Sequence, residues 1–383
     1  MDATSGYAGS TCSTLILPLS SMLPARPGID SASAMNGTPS RSGTAMYALA
    51  AYISNDIPLP TELDRRLRAA AAGQRGPARR CLAVLDTAKT VEKPSEIEGS
   101  VEYDRFFGFR RVDGPDAELM AAQIAVTAGT VLTELSRSVL AGDELVAVLT
   151  ALGDMIDRYP AVHESWTAPT LDVEAERLDE VVDSAGPVLG SVEDRALYRW
   201  VIGHHLFNLA AVFCMDAINR ARVGALDGDD TITAAALVEA SRHLRATTAA
   251  MWFAGAFPAA AYLNRVRPAM AVASGSEGGF SGTQNLDYFR LRRAVDGFRE
   301  ILPIAPVAGS PNVRAAHAMF TEIELEDVEH HVLIAAAKVG GVEPSLLTSA
   351  SLAALPADLE RAPAVEVLRD LAVLRRANRD QRP

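Results

Sequence analysis

Apolar residues recur at helical spacing along most of the chain after residue 45. The segment "DAELMAAQIAVTAGTVLTELSRSVLA" is apolar nearly all round, which is typical of a helix at the centre of a fold. Long helical patterns also run through "DRALYRWVIGHHLFNLAAVFCMDAINRARV", "TITAAALVEASRHLRATTAAMWFAGAF" and "VRAAHAMFTEIELEDVEHHVLIAAAKVG". Alternating strand patterns are nearly absent. The sequence therefore predicts an all-α fold.

Three regions differ in their composition and patterning. Residues 1–44 are rich in Ser, Gly, Thr and Pro, and we expect an extended N-terminal arm with little regular structure. A small N-terminal helical part is expected over residues 45–120, and a large helical domain over residues 121–383. Within the large domain, the loop segment "GSEGGFSGTQNLDYF" breaks the helices near residues 273–285.

Composition narrows the choice of partners and compartment. The chain has 383 residues, of which 49% are hydrophobic, and a formal net charge of −12. An acidic surface argues against nucleic acid or an anionic membrane as the main partner. No basic segment precedes "LILPL", and the apolar run "AMWFAGAFPAAAYL" is short and broken by Pro258, so neither a signal peptide nor a membrane span is expected.

The number and spacing of the cysteines indicate the redox compartment of the protein. Cys12, Cys81 and Cys214 are far apart in the chain and match no metal-ligand spacing. A sparse, odd number of cysteines favours a reducing, cytoplasmic location over a disulfide scaffold. The sequence leaves self-association into a homo-oligomer open.

A pair of histidines lies within the last strong helical pattern, in "EDVEHHVLIAAAKVGG". Asp327 precedes His331 by four residues and shares its helix face. Such a carboxylate can accept the second N–H of a metal-ligating imidazole. His330 is the alternative ligand. A surface pair that forms ion pairs with Glu326 and Glu329 is the alternative to any ligand role.

A second pair, His204 and His205, lies in "YRWVIGHHLFNL". Its flanks are apolar, so we expect at least one of the two to be buried. The favoured interpretation is a hydrogen-bonded core histidine, and the alternative is a place in a distal ligand pocket.

An arginine precedes the loop, in "YLNRVRPAM". Because proline disfavours helix continuation, Pro268 predicts a helix end that places Arg267 at a helix C-terminus. There the guanidinium could stabilise the terminal carbonyls or form a fork for a substrate carboxylate.

The order of these features resembles a known superfamily. An Arg-Pro pair, then "GGFSGTQN", then a helix, then a C-terminal helix with an inward histidine resembles the histidine-ligated heme dioxygenases. This superfamily includes the indoleamine and tryptophan 2,3-dioxygenases and the pyrrolnitrin enzyme PrnB. The resemblance covers roughly residues 100–345. Two departures are the inserted Phe280, expected to reshape the pocket, and Asn285 in place of a serine.

The resemblance implies a heme b cofactor and a set of site residues. His331 would ligate the iron, Gly279 would lie against the heme, and Arg267 would hold a substrate carboxylate. The remaining implied substrate contacts come from the loop, at Ser281, Gly282 and Thr283.

The expected function follows from this resemblance. We expect a heme-dependent oxygenase that uses O2 on an indole or related aromatic amino acid, most simply L-tryptophan dioxygenation to N-formylkynurenine. One alternative is a PrnB-like biosynthetic enzyme that hydroxylates or rearranges an aromatic amino-acid ring. The other is a non-catalytic helical protein that binds a partner through its acidic surface.

Overall fold

The structure is a computed structural model, and it describes about two thirds of the chain. The described residues are 15–18, 41–55, 61–71, 85, 88–91, 96–159, 191–275, 279–280 and 282–339. Helical spacing also predicts helices in "LDVEAERLDEVVDSA" and "APAVEVLRDLAVLRRANR", but both segments lie outside these residues, as does Ser281.

The described elements are mostly helices. Before residue 160 they are β1 (Leu15–Pro18), α1 (Arg41–Asn55), α2 (61–71), α3 (Ser100–Phe107), β2 (Phe109–Val112), α4 (Ala117–Leu135) and α5 (Gly142–Ile156). After residue 190 they are α6 (Val192–Asp227), α7 (Asp230–Ala254), α8 (Ala259–Ala261), a π-helix (Tyr262–Val266), α9 (Arg267–Ser274), a 3-10 helix (Gly282–Gln284), α10 (Leu286–Ile301), a second 3-10 helix (Leu302–Ile304) and α11 (Pro311–Val339). The predicted all-α fold is confirmed.

Local capping explains where several helices begin. The Asp116 carboxylate accepts a hydrogen bond from Leu119 N at 2.7 Å, at the start of α4. Asp229 accepts from Ile232 N at 2.9 Å at the start of α7. Each side chain satisfies a backbone N–H that has no partner within its helix.

Helix α6 forms the centre of the fold and packs most extensively against α7. The two helices meet closely at Gly203, where an added Cβ would lie 2.4 Å from the Cβ of Ala254. A glycine is therefore required for this approach. Helix α11 packs along the other side of α7, and α10 packs along α6.

A short strand pair joins the predicted N-terminal arm to the helices. β1 pairs in parallel with β2, with Leu15 opposite Phe109, and Leu17 is fully buried. The sequence did not indicate this strand, because four residues are too few to show alternation. The largest hydrophobic cluster includes residues on both sides of residue 120, and the predicted domain boundary there stays a prediction.

Helix α6 also has the length and hydropathy that a membrane-spanning helix needs. Of its most apolar 18-residue window, 83% is buried inside the protein. A buried core helix has the same composition, so this observation is weak evidence for a membrane span.

Candidate active site

His204 presents a neutral imidazole on the side of α6. Its Nδ1 lies 2.7 Å from the carbonyl oxygen of Trp200. A carbonyl can only accept, so Nδ1 carries the proton and Nε2 holds the lone pair. Burial, opposed by the hydrogen bond to Trp200 and aided slightly by the charges of His205 and His331, lowers the pKa of His204 to about 4. The ring is therefore neutral at physiological pH, as ligation or proton acceptance requires.

Aromatic rings fix the orientation of His204. The ring of Phe107 stacks on it at 4.1 Å between centroids, with an interplanar angle of 19°. Trp200 lies 4.6 Å away and also contacts Tyr262 at 5.6 Å. Among the residues that the structure describes, Trp200 Nε1 is buried without a hydrogen-bond partner. An apolar wall with one unused donor can receive a flat, largely apolar group that carries an acceptor.

His205 has a structural role. Its Nε2 lies 2.7 Å from the carbonyl oxygen of Phe107 and donates to it, which ties the end of α3 to α6. Burial lowers the pKa of His205 to about 4. The expectation that one histidine of this pair is buried and hydrogen-bonded is confirmed for His205.

The histidines of α11 differ from each other. Nδ1 of His330 donates to the carbonyl oxygen of Glu326 at 2.8 Å, and its ring meets Trp252 edge-on at 4.9 Å. His331 is exposed, and its charge acts on His204, so the two imidazoles lie within electrostatic reach of one another.

Asp327 lies one turn before His331 and is buried against α7. Its Oδ1 accepts a hydrogen bond from Thr248 Oγ1 at 2.6 Å and contacts Thr247 Oγ1 at 3.0 Å. The carboxylate is thus held firmly on the inner face of α11.

Arg267 lies at the start of a helix, and the expectation that Pro268 ends a helix is wrong. Arg267 is the first residue of α9, and the π-helix Tyr262–Val266 precedes it without a break. The Arg267 N–H donates to the carbonyl of Tyr262, five residues back. The wider π turn tolerates Pro268, because it relieves the clash of the ring with the carbonyl four residues earlier.

The π-helix brings Arg267 close to a buried phenol. Burial raises the pKa of Tyr262 to about 12, and the nearby charge of Arg267 opposes this rise. Tyr262 also contacts Trp200, at 5.6 Å between ring centroids, so the charge of Arg267 acts on a ring of the aromatic wall beside His204.

The glycine-rich loop is anchored in its middle. Gly279 has a φ of +78°, and a Cβ there would lie 3.1 Å from the Cβ of Met270 in α9. Phe280 is 4% exposed, with its ring 5.5 Å from that of Tyr103 and 5.4 Å from that of Phe106. The inserted Phe280 therefore packs into the aromatic core.

The end of the loop is bonded to α3 and caps α10. Asn285 Oδ1 accepts from the backbone N–H groups of Asp287 and Tyr288, both at 3.1 Å. Its Nδ2 donates to the Tyr103 hydroxyl at 3.2 Å. The buried Asp287 carboxylate accepts from Arg111 Nη1 at 2.7 and 2.8 Å. These bonds hold the start of α10 against α3 and β2.

The other predicted loop residues lie between these anchors. Gly282 begins the 3-10 helix, and a Cβ on it would meet no atom of the described structure within 4 Å. Thr283 follows and is half-buried, whereas Ser281 is outside the described residues. The role of each in binding substrate stays a prediction.

Two parts of the predicted site are brought together by the fold. Gly279 packs against Met270 of α9, the helix that begins at Arg267, and the charge of His331 acts on His204. Sequence reasoning missed Trp200, which contacts His204, and Tyr262, which contacts Trp200. Trp200 precedes His204 by one helical turn, and that spacing could have indicated the contact.

Comparisons with known proteins give one family. A sequence model of the family described as SfmD 3-methyl-L-tyrosine peroxygenase matches residues 17–321. That match ends before His330 and His331. A 3-methyl-L-tyrosine peroxygenase of Streptomyces lavendulae is 28% identical over 272 residues, which are 71% of this chain and 70% of the relative.

A solved structure is also similar. The crystal structure of reduced SfmD, soaked with sodium hydrosulfite, matches 82% of this chain and 98% of its own, at 22% identity and a TM-score of 0.44.

Proposed function

This chain belongs to the SfmD 3-methyl-L-tyrosine peroxygenase family, and we propose that it is a biosynthetic peroxygenase that hydroxylates the ring of a tyrosine-derived amino acid. The proposed reaction consumes one substrate and one hydrogen peroxide. A ring C–H becomes C–OH, the O–O bond breaks, and the second peroxide oxygen leaves as water.

Membership of this family establishes the class of enzyme, but it does not establish which substrate is oxidised or how many oxygen atoms are transferred. A heme-dependent oxidoreductase is confirmed. Tryptophan dioxygenation is not supported, because the relatives are named for a peroxygenase and for methyl-tyrosine. The findings favour the alternative of a biosynthetic heme enzyme acting on an aromatic amino acid.

The described residues fit a heme. No group of three or more His, Cys, Asp or Glu side chains that could hold a metal ion occurs among them. Heme iron needs only one or two protein ligands, because the porphyrin supplies four nitrogens. The observation that carries the proposal is the neutral His204, set in an aromatic wall within electrostatic reach of His331.

The side chains take distinct roles in this proposal. His331 would ligate the iron, and His330 is the alternative ligand. Heme, when bound, supplies transfer of an oxygen atom from peroxide to the ring. The lone pair on His204 Nε2 accepts a proton from peroxide, since its pKa of about 4 leaves the ring unprotonated. Arg267 holds the substrate carboxylate at the edge of the wall.

A visible spectrum tests the ligand assignment. We expect the purified protein to show a Soret band, His331→Ala to lose most of its heme, and His330→Ala to keep it. The reverse result would make His330 the ligand. If both variants bind heme like the wild type, the ligand lies elsewhere, and His204→Ala is the next variant to compare.

Isotope labelling tests the reaction. The enzyme is given L-tyrosine, 3-methyl-L-tyrosine or L-tryptophan, with either ¹⁸O-labelled peroxide or ¹⁸O2. We expect a phenolic substrate to gain one oxygen atom, and that atom to come from peroxide. Incorporation of two atoms from O2 into tryptophan would instead establish the dioxygenase reaction.

A further inference from the structure

A buried carboxylate lies one turn from the proposed iron ligand. Asp327 is 5% exposed, and it is held by α7 rather than by solvent. A buried carboxylate is costly unless hydrogen bonds compensate for its lost hydration. The threonine hydroxyls that contact the carboxylate supply this compensation, and they indicate that its buried position has a function.

We propose that Thr248, through Asp327, positions His331 and raises its basicity as an iron ligand. This inference rests on the proposed function, because it assumes that His331 binds heme iron. Thr248 and Asp327 do not touch the iron in this arrangement, so both are positioning residues.

The hydroxyl contacts single out Thr248. Its Oγ1 lies 2.6 Å from Asp327 Oδ1. The Oγ1 of Thr247 lies 3.0 Å from the same oxygen, but it also lies 2.6 Å from the carbonyl of Leu244. A hydroxyl has one proton, so Thr247 donates its hydrogen bond to the closer acceptor, the carbonyl of Leu244. Thr248 is the principal donor, and Thr247 provides a matched control.

Helix geometry connects the carboxylate to the ligand. Residues four apart share a helix face, so Asp327 and His331 are neighbours on α11. A hydroxyl donor favours the ionised carboxylate. An ionised carboxylate that accepts the Nδ1–H of a ligating imidazole makes that imidazole a stronger electron donor. His330 does not share this device, because its Nδ1 donates to the carbonyl of Glu326.

The test is a reduction-potential titration of the heme in four full-length variants. Thr248→Val removes the hydroxyl at constant shape, and we expect the ratio of ferric to ferrous stability to fall about tenfold. That change raises the one-electron potential by about 59 mV. Thr248→Ser keeps the hydroxyl and should retain the wild-type potential, as should Thr247→Val. Asp327→Asn removes the charge and should raise the potential at least as much as Thr248→Val.

The outcomes separate this inference from the proposed function. A normal potential in both Thr248→Val and Asp327→Asn, with heme bound through His331, would overturn the inference alone. An equal shift in Thr248→Ser would also overturn it, because that variant keeps the hydroxyl, and the hydroxyl would then not account for the shift. If His331→Ala binds heme normally, the ligand assignment has failed before Thr248 is considered. Should Thr248→Val fold poorly, Thr248→Ala is compared with Thr248→Ser instead, because these two variants differ only in the hydroxyl.

Discussion

Removing the Phe280 ring should loosen the anchor of the glycine-rich loop. The ring is 4% exposed and contacts the rings of Tyr103 and Phe106. Phe280→Ala deletes these contacts and leaves a cavity between α3 and the loop. Phe280→Leu keeps most of the apolar volume, so it separates loss of packing from loss of aromatic shape.

The size of the effect follows from burial and chain length. A buried Phe→Ala change lowers the free energy of unfolding by about 3–5 kcal/mol. Unfolding entropy is about 2.1 cal/mol/K per residue, which for 383 residues gives about 0.8 kcal/mol/K. A loss of about 4 kcal/mol then lowers Tm by about 5 °C if the whole chain unfolds as one unit, and by more if a smaller unit unfolds. Phe280→Leu should cost about 1 kcal/mol.

Calorimetry measures the loss of thermal stability, and limited proteolysis measures how exposed the loop becomes. We expect Phe280→Ala to lower Tm by at least about 5 °C and to speed cleavage between Gly275 and Gly282. The control is Phe289→Ala, which removes a half-buried ring from α10 and should cost about 1 kcal/mol without exposing the loop. A Tm shift below about 1 °C together with an unchanged cleavage rate would refute the anchor.

Three further predictions concern charge. Arg267→Ala should raise the substrate Kd about 100-fold in an optical titration, and Arg267→Lys should rescue little because a point charge cannot form the fork. Burial lowers the pKa of His205 from 6.5 to about 4, so the unfolded chain binds more protons between these values. The stability present above pH 6.5 should fall by about 3 kcal/mol as pH drops to 4, and His205→Gln should flatten this dependence in urea titrations. Asp287→Ala leaves Arg111 buried with less compensation and should cost about 3 kcal/mol, measured by urea unfolding.

Each of these predictions has a control. Arg265 pairs with Asp194 at 3.0 Å in a partly exposed position, and Arg265→Ala should leave substrate binding unchanged. An equal loss of substrate affinity in Arg267→Ala and Arg265→Ala would mean that neither arginine binds the substrate carboxylate specifically. An unchanged pH dependence in His205→Gln would assign the acid sensitivity to other groups. Glu62→Ala, in an exposed pair with Arg65, should leave the free energy of unfolding nearly unchanged, and an equally small effect of Asp287→Ala would contradict its buried role.

Local sequence was sufficient to predict most of the helices. Helix α7 begins where an aspartate precedes an apolar periodic run, and its cap joins Asp229 to a backbone group three residues away. Such interactions depend on neighbours in the chain, so the sequence alone specifies them. The order of an arginine, a glycine-rich loop and a late histidine resembles the histidine-ligated heme dioxygenases, and that resemblance implied a heme enzyme.

The tertiary structure decided what the sequence left open. His204 and His205 are adjacent and chemically identical, yet only His205 meets the carbonyl of Phe107, which lies far away in the chain. The resemblance marked Phe280 only as an inserted residue, and the tertiary structure shows that the rings of α3 pack against it. Pro268 continues a helix because a π turn precedes it. In each case the deciding contact joins residues from different elements, or depends on how a turn is wound, and local periodicity does not encode either.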